Sequence, residues 1–117
     1  MLIYVSGGHN LQIIESSKYK RDFKKLKKKH LDKEINNINE IIDFISIFSN
    51  MKELLSNDLC KIYGIEKKKG NLKEIYTAEV NKKIRMYIHP VGEYPYDLEQ
   101  IEIVELIEID DKHYGEG

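Results

Sequence analysis

The chain has 117 residues, of which 41% are apolar and 33% are charged, and its formal net charge is −1. This length suits one domain with a single core, and no apolar run approaches the roughly 18 residues of a membrane span. One cysteine, Cys60, excludes an internal disulfide, and with four scattered histidines it gives no zinc-ligand spacing. The start MLIYVSGGHN lacks the pattern of a secretory signal. We therefore expect one cytoplasmic domain over residues 1–117, with no metal or cofactor.

Charge is distributed unevenly along the chain. Residues 16–33 hold nine Lys or Arg against two Asp, and residues 93–117 hold nine Asp or Glu against one Lys. Two readings stay open for these runs. In the first, both charged runs are solvated faces of their helices or strands. In the second, the basic run meets a polyanion or an acidic partner.

The first part of the chain predicts a strand followed by a helix. Met1–Val5 is a short apolar run, and Leu11–Glu15 reads as a strand after the turn signal SGGHN, so the first fifteen residues suggest a hairpin. Ser16 or Ser17 can cap a helix that runs to about Lys29. Its predicted apolar face consists of Tyr19, Phe23, Leu26 and His30, and we expect His30 to be a helix-end residue and not a ligand.

A second helix is predicted directly after a break at Leu31-Asp32. Its apolar stripe has helical spacing and consists of Ile35, Ile38, Ile41, Ile42, Ile45 and Phe48. Two helices joined by so short a connection indicate a helical hairpin. Met51–Leu55 adds one further turn of helix, which Ser56-Asn57-Asp58 ends.

The segment GNLKEIYTAEVNKKIRMYI, residues 70–88, predicts a β-hairpin with strands Ile75–Val80 and Ile84–Ile88. Alternation places Ile84, Met86 and Ile88 on one face and Arg85 and Tyr87 on the other. A strand that projects an arginine away from its own core face indicates a site.

Three segments around this hairpin complete the predicted sheet. Glu66–Gly70 is a loop or a strand edge, and Pro90–Pro95 should end the ladder because proline lacks an N–H donor. The last strand, Ile101–Ile109, is apolar on both faces at its middle and should lie inside the sheet. The fold class is therefore α+β, with a helical hairpin on one face of a twisted, mostly antiparallel sheet of about four strands.

The polar residues near Arg85 suit cleavage of RNA by attack of a 2′-hydroxyl on its phosphate. Arginine can stabilise the charge on the phosphate, and His113, after the last strand, suits acid or base work. Tyr114 can stack on a base or orient the phosphate. Glu66 can serve as the base, and the cations that could hold RNA are Lys67, Lys68, Lys69, Lys24, Lys27 and Lys28.

The element order, the residue 70–88 segment and the closing strand followed by DKHY resemble the RelE/ParE toxin superfamily. The resemblance covers about residues 11–115 and is closest to the plasmid-maintenance killer (HigB-like) branch, which ends in an acidic, isoleucine-rich strand and a short Asp, Tyr and His motif. It implies a type II toxin that cleaves mRNA on the ribosome and is held inactive by an antitoxin, which we expect to be a small helix-turn-helix protein. It also implies that Arg85, Glu66, His113 and Tyr114 are the catalytic residues.

The chain departs from the superfamily pattern in three ways. Ala78 and Glu79 stand where basic residues are common, the ending is ordered Asp-Lys-His-Tyr, and the whole chain is not basic. Two other functions therefore stay open. One is a non-nucleolytic toxin that poisons a protein such as DNA gyrase, and the other is a degenerate toxin that acts as a binding module.

Overall fold

The computed structural model describes residues 10–68 and 75–111 of the chain. Within them, one five-stranded sheet has the order β1-β5-β4-β3-β2, with β1 parallel to β5 and the other pairs antiparallel. The strands are β1 (Gln12–Glu15), β2 (Glu66–Lys67), β3 (Tyr76–Glu79), β4 (Arg85–Pro90) and β5 (Ile103–Asp110). The helices are α1 (Ser17–Lys28), α2 (Asp32–Ser46) and α3 (Met51–Ser56), with 3₁₀ turns at Asp58–Lys61 and Leu98–Gln100. The predicted α+β class is confirmed, while the predicted strand Met1–Val5 lies outside the described residues.

Helix α1 begins and ends at local signals in the sequence. The Ser16 hydroxyl accepts a hydrogen bond from the Tyr19 N–H at 3.0 Å, which caps the first turn. At the other end His30 is left-handed, with φ 58°, and the N–H groups of His30 and Leu31 donate to the carbonyls of Lys27 and Leu26. These two bonds form a Schellman motif. His30 therefore lies at the end of the helix, as predicted, and it is exposed although its spacing had placed it on the apolar face.

The core lies between the helices and one face of the sheet. From α1 it takes Tyr19 and Leu26, and from α2 it takes Ile38, Ile41, Phe44 and Ile45, all nearly inaccessible to solvent. The sheet contributes the residues predicted from alternation, Ile84, Met86 and Ile88. None of the helices in residues 10–68 and 75–111 has the length and apolar character needed to cross a membrane.

Strand β5 occupies the interior of the sheet, as predicted, but its two faces differ. Val104 and Leu106 are fully buried, whereas Ile103 and Ile107 on the other side are only half-buried. The ladder with β4 contains a bulge, since Tyr87 pairs with Glu108 but the next residue, Ile88, pairs with Leu106. Beyond this bulge the alternation of β5 is reversed.

The prediction that Pro90 ends the ladder is wrong, because β4 includes it opposite Val104. The N–H of the next residue, Val91, donates to Ile103 at 2.9 Å, and backbone donors in an antiparallel strand alternate in direction. The Pro90 nitrogen therefore points away from β5. On that side β3 has already ended, since its last pairing in this direction is Tyr76 with Ile88. The missing donor breaks no ladder bond.

The N-cap of α1 and one side chain within α1 form hydrogen bonds with the backbone of β5 where β1 no longer pairs with it. The parallel pairing with β1 ends at Leu106. Beyond it, the Ser16 hydroxyl donates to the carbonyl of Ile107 at 2.9 Å, and a carboxylate oxygen of Asp22 accepts from the N–H of Ile109 at 3.0 Å. These bonds replace a missing strand and fix α1 against the end of β5.

Asp22→Ala should lower the free energy of unfolding by about 1–3 kcal/mol, because the Ile109 N–H loses its acceptor. Urea denaturation followed by circular dichroism measures this change. The matched control is Asp43→Ala on the exposed face of α2, for which we expect a change of less than about 0.5 kcal/mol. Equal effects of the two variants would show that the contact to β5 does not stabilise the protein.

Candidate functional site

The outer face of the sheet, opposite the helices, carries the polar side chains of β2, β3 and β4. Glu66 pairs with Thr77, and Thr77 pairs with Tyr87, so these three form one row across the strands. In the next row of this face Glu79 pairs with Arg85. Arg85 is exposed while its neighbour Met86 is fully buried, which confirms the predicted alternation.

A cleft of about 320 Å³ opens on this face. Its lining contains three cationic side chains, two carboxylates, one hydroxyl and one glycine. They are Lys67, Lys68, Arg85, Glu66, Glu79, Thr77 and Gly64. Four residues predicted from the sequence, Glu66, Lys67, Lys68 and Arg85, thus come together from two strands that are not adjacent in the sheet.

The geometry of the sheet sets the distance between the acidic residue Glu66 and the basic residue Arg85 across the cleft. Glu66 is on β2 and Arg85 on β4, with β3 between them. Strands lie about 4.8 Å apart, and Arg85 is one row, or about 7 Å along the strand, from the row of Glu66, so their Cα atoms are separated by roughly 12 Å. The side chains of Glu66 and Arg85 are long, so both can reach a group that is bound between them. The arrangement can therefore present a carboxylate and a guanidinium to one substrate.

Arg85 lies between two acidic residues. Its cross-strand partners are Glu79 on β3 and Asp110 on β5. Within residues 10–68 and 75–111, no salt bridge or hydrogen bond of its guanidinium is formed. The group is consequently available to an anion, but the adjacent carboxylates reduce the positive potential around it.

Tyr87 and Asp110 join the site through Lys68. The Lys68 ammonium lies 3.3 Å from the Tyr87 hydroxyl and 5.0 Å from the centre of its ring. The same hydroxyl donates to a carboxylate oxygen of Asp110 at 3.2 Å. The sequence placed Tyr87 on the face of Arg85 but did not identify it as a site residue. Its position two residues after Arg85 on the same strand was the feature of the sequence that could have identified it.

The three predicted cations of α1 do not line this cleft. Lys24, Lys27 and Lys28 are exposed on α1, and the Lys27 ammonium lies 5.4 Å from the ring of Phe23. Helix α1 packs on β5 through the core, so these lysines form a surface separate from the cleft. Lys69, His113 and Tyr114 lie outside the described residues.

Groups with shifted pKa values also lie away from the cleft. Burial raises the pKa of the Cys60 thiol, which donates to the carbonyl of Leu54 at 2.8 Å. Its hydrogen bond to Glu40 raises the pKa of the Tyr63 hydroxyl. Burial raises the pKa of Tyr76, on the core side of β3. Cys60 is therefore a buried side chain of the core.

Gly64 forms one wall of the cleft in a conformation that suits glycine. Its φ is +60°, and a Cβ atom there would lie 2.8 Å from the Cβ of Glu79. The preceding carbonyl, of Tyr63, accepts from the Glu79 N–H at 2.8 Å. The backbone at Gly64 therefore packs directly against the end of β3.

Similar solved structures share this fold. No protein-family model and no curated protein matches the sequence. The chain resembles YafQ in the E. coli DinJ–YafQ toxin–antitoxin complex with a TM-score of 0.62 and 15% identity, over 92% of this chain and 99% of that one. It resembles the YoeB/ParE toxin from Agrobacterium tumefaciens with a TM-score of 0.58 and 14% identity, over 86% of this chain and 96% of that one. It resembles the YoeB dimer from Staphylococcus aureus with a TM-score of 0.56 and 20% identity, over 86% of this chain and 95% of that one.

These likenesses show that the chain has the fold of the YafQ and YoeB toxins. They extend over at least 86% of this chain in each case, so they include both the helical layer and the sheet. The identities of 14–20% show the architecture alone and assign no residue a role.

Gly64→Ala should lower the free energy of unfolding by about 1–3 kcal/mol, because it adds left-handed strain and a clash with Glu79. Thermal or urea unfolding measures the loss. The matched control is Gly92→Ala, where φ is not left-handed and the nearest atom is the flexible end of Ile101. If Gly64→Ala lowers the free energy of unfolding no more than Gly92→Ala does, position 64 does not require glycine.

Proposed function

We propose that this protein is the toxin of a type II toxin–antitoxin system and acts as a ribosome-dependent mRNA endonuclease that inhibits translation. The observation that carries the proposal is the shared cleft of Glu66 and Arg85, with Lys67 and Lys68 beside them. The toxin fold supports the same reading. The proposed setting is the bacterial cytoplasm, and the proposed reaction needs no cofactor.

The cleft offers two of the three groups that RNA cleavage requires. Glu66 would take the proton from the 2′-hydroxyl, and Arg85 would stabilise the charge that builds on the phosphate as the 2′-oxygen attacks. His113 would then give a proton to the leaving 5′-oxygen, while Tyr114 stacks on a base. Lys67, Lys68 and Lys69 would neutralise neighbouring phosphates, and Lys24, Lys27 and Lys28 would meet ribosomal RNA.

The proposed partners are a cognate antitoxin, the ribosome and mRNA. One structure with this fold is of a toxin–antitoxin complex, which supports the antitoxin. The resemblance to the HigB-like branch stays a prediction. If it holds, we expect a small helix-turn-helix antitoxin and a role in plasmid maintenance. The fold comparisons here are with YafQ and YoeB toxins.

A second candidate function is supported by the acidic neighbours of Arg85. Glu79 and Asp110 oppose binding of a polyanion at that point. A non-nucleolytic toxin that poisons a protein such as DNA gyrase, or a degenerate toxin that acts as a binding module, would need no phosphate contact there. We rank these below the nuclease because the described cleft carries more cations than carboxylates.

The test is primer extension on an mRNA in a reconstituted translation reaction. Wild-type protein should produce cuts within codons that require ribosomes. Arg85→Ala should lower the cleavage rate by about two to three orders of magnitude, the usual loss for a transition-state charge contact. Truncation after Lys112 should also abolish the cuts, because it removes His113 and Tyr114.

The control variant is Lys52→Ala, which removes one positive charge from an exposed salt bridge with Glu99 outside the cleft. It should cleave at the wild-type rate. An intact message with wild-type protein would overturn the nuclease and direct attention to gyrase assays. Full activity of Arg85→Ala would exclude this cleft as the active site.

Glu79→Gln should raise the affinity for single-stranded RNA by about two- to fivefold, since it removes a negative charge next to Arg85. Fluorescence anisotropy with a non-cleavable 2′-O-methyl trinucleotide measures it, and Glu53→Gln on exposed α3 is the matched control. The difference should shrink as salt is raised. An unchanged or weaker affinity would mean that Glu79 does not oppose the anion.

A further inference from the structure

Tyr87 contacts a residue of the cleft without lining the cleft itself. Its side chain is half-buried at the middle of β4. The side chain that touches it, Lys68, lies just after β2 and does line the cleft. Tyr87 can therefore influence what the cleft binds only through another residue.

Two contacts between these side chains restrict Lys68. Its ammonium donates to the Tyr87 hydroxyl at 3.3 Å and lies 5.0 Å from the ring centre. A free lysine side chain samples many rotamers, and each fixed torsion lowers the entropy that a ligand must remove. Holding the ammonium in advance should therefore favour binding and correct orientation of an anion.

Asp110 orients the hydroxyl that Lys68 uses. The Tyr87 O–H donates to Asp110 at 3.2 Å, so its lone pairs remain available to accept from the ammonium. The three groups bridge the end of β2, the middle of β4 and the end of β5. Within the described residues no salt bridge joins Lys68 to Glu66, although both line the cleft. The contact with Tyr87 gives the ammonium a partner other than the carboxylate.

We propose that Tyr87 is a positioning residue that holds the Lys68 ammonium beside Arg85, so that the two cations bind one RNA phosphate. Arg85 and Tyr87 are two residues apart on the same face of β4, about 7 Å along the strand. An ammonium held over Tyr87 is thus within reach of a phosphate on Arg85. This inference rests on the proposed nuclease function and deepens it by naming how its phosphate site is assembled.

The test is a double-mutant cycle with Tyr87→Phe and Lys68→Met in the full chain. Tyr87→Phe keeps the ring but removes both hydrogen bonds. It should lower the cleavage rate about five- to tenfold in the wild-type background and less than about twofold in the Lys68→Met background. Tyr94→Phe, at an exposed tyrosine outside the cleft, should leave the rate unchanged in both.

Affinity for the 2′-O-methyl trinucleotide provides a second readout that needs no cleavage. It should show the same dependence on Lys68, while the urea midpoints of all variants stay close to wild type. Equal losses from Tyr87→Phe in both backgrounds would overturn the positioning role and leave the nuclease intact. Coupled losses in affinity without any cleavage would support the positioning role and overturn the nuclease. A wild-type protein that neither cleaves nor binds RNA would overturn both.

Discussion

The hydrogen-bonded ladder between β4 and β5 determines what each face of the sheet carries. If this ladder were regular, Glu108 would lie opposite Met86, which is fully buried against the helices. A carboxylate there would lose its hydration without a partner. The extra residue in the bulge instead turns Ile109 into the core and sets Asp110 opposite Arg85. The acidic neighbour of the cleft is thus a consequence of how the core avoids burying a charge.

The same ladder explains how two helices and a cleft share one small sheet. Ser16 and Asp22 fix helix α1 to the C-terminal end of β5 on the core side of the sheet, and the outer face stays uncovered. On that face the strands bring the polar ends of β2, β3 and β4 together. The basic surface of α1 and the cleft are therefore separate, and in the proposed function ribosomal RNA would contact the first while mRNA enters the second. Phosphate contacts at α1 would supply affinity, and the cleft would supply chemistry.

Most of the fold followed from periodicity, whereas the contacts that assemble the cleft did not. The helices and the hairpin were predicted because their apolar residues recur at regular spacings, and Arg85 was placed correctly by alternation alone. The bulge in β5 was not predicted, because a single inserted residue leaves the strand composition unchanged. Pro90 was misjudged because its tolerance depends on where the neighbouring strand ends. The contact of Lys68 with Tyr87 reaches across β3. It depends on the order of the strands in the sheet, which could not be predicted from the sequence.

The most direct measurement is an electron cryomicroscopy structure of the protein on a translating ribosome whose mRNA carries 2′-O-methyl groups in the A-site codon. We expect an mRNA phosphate bound in the cleft, within hydrogen-bonding distance of Arg85 and Lys68, with Glu66 facing the blocked 2′-oxygen. An mRNA backbone that passes elsewhere on the protein, or a ribosome without the protein bound, would contradict the proposal that this cleft cleaves RNA.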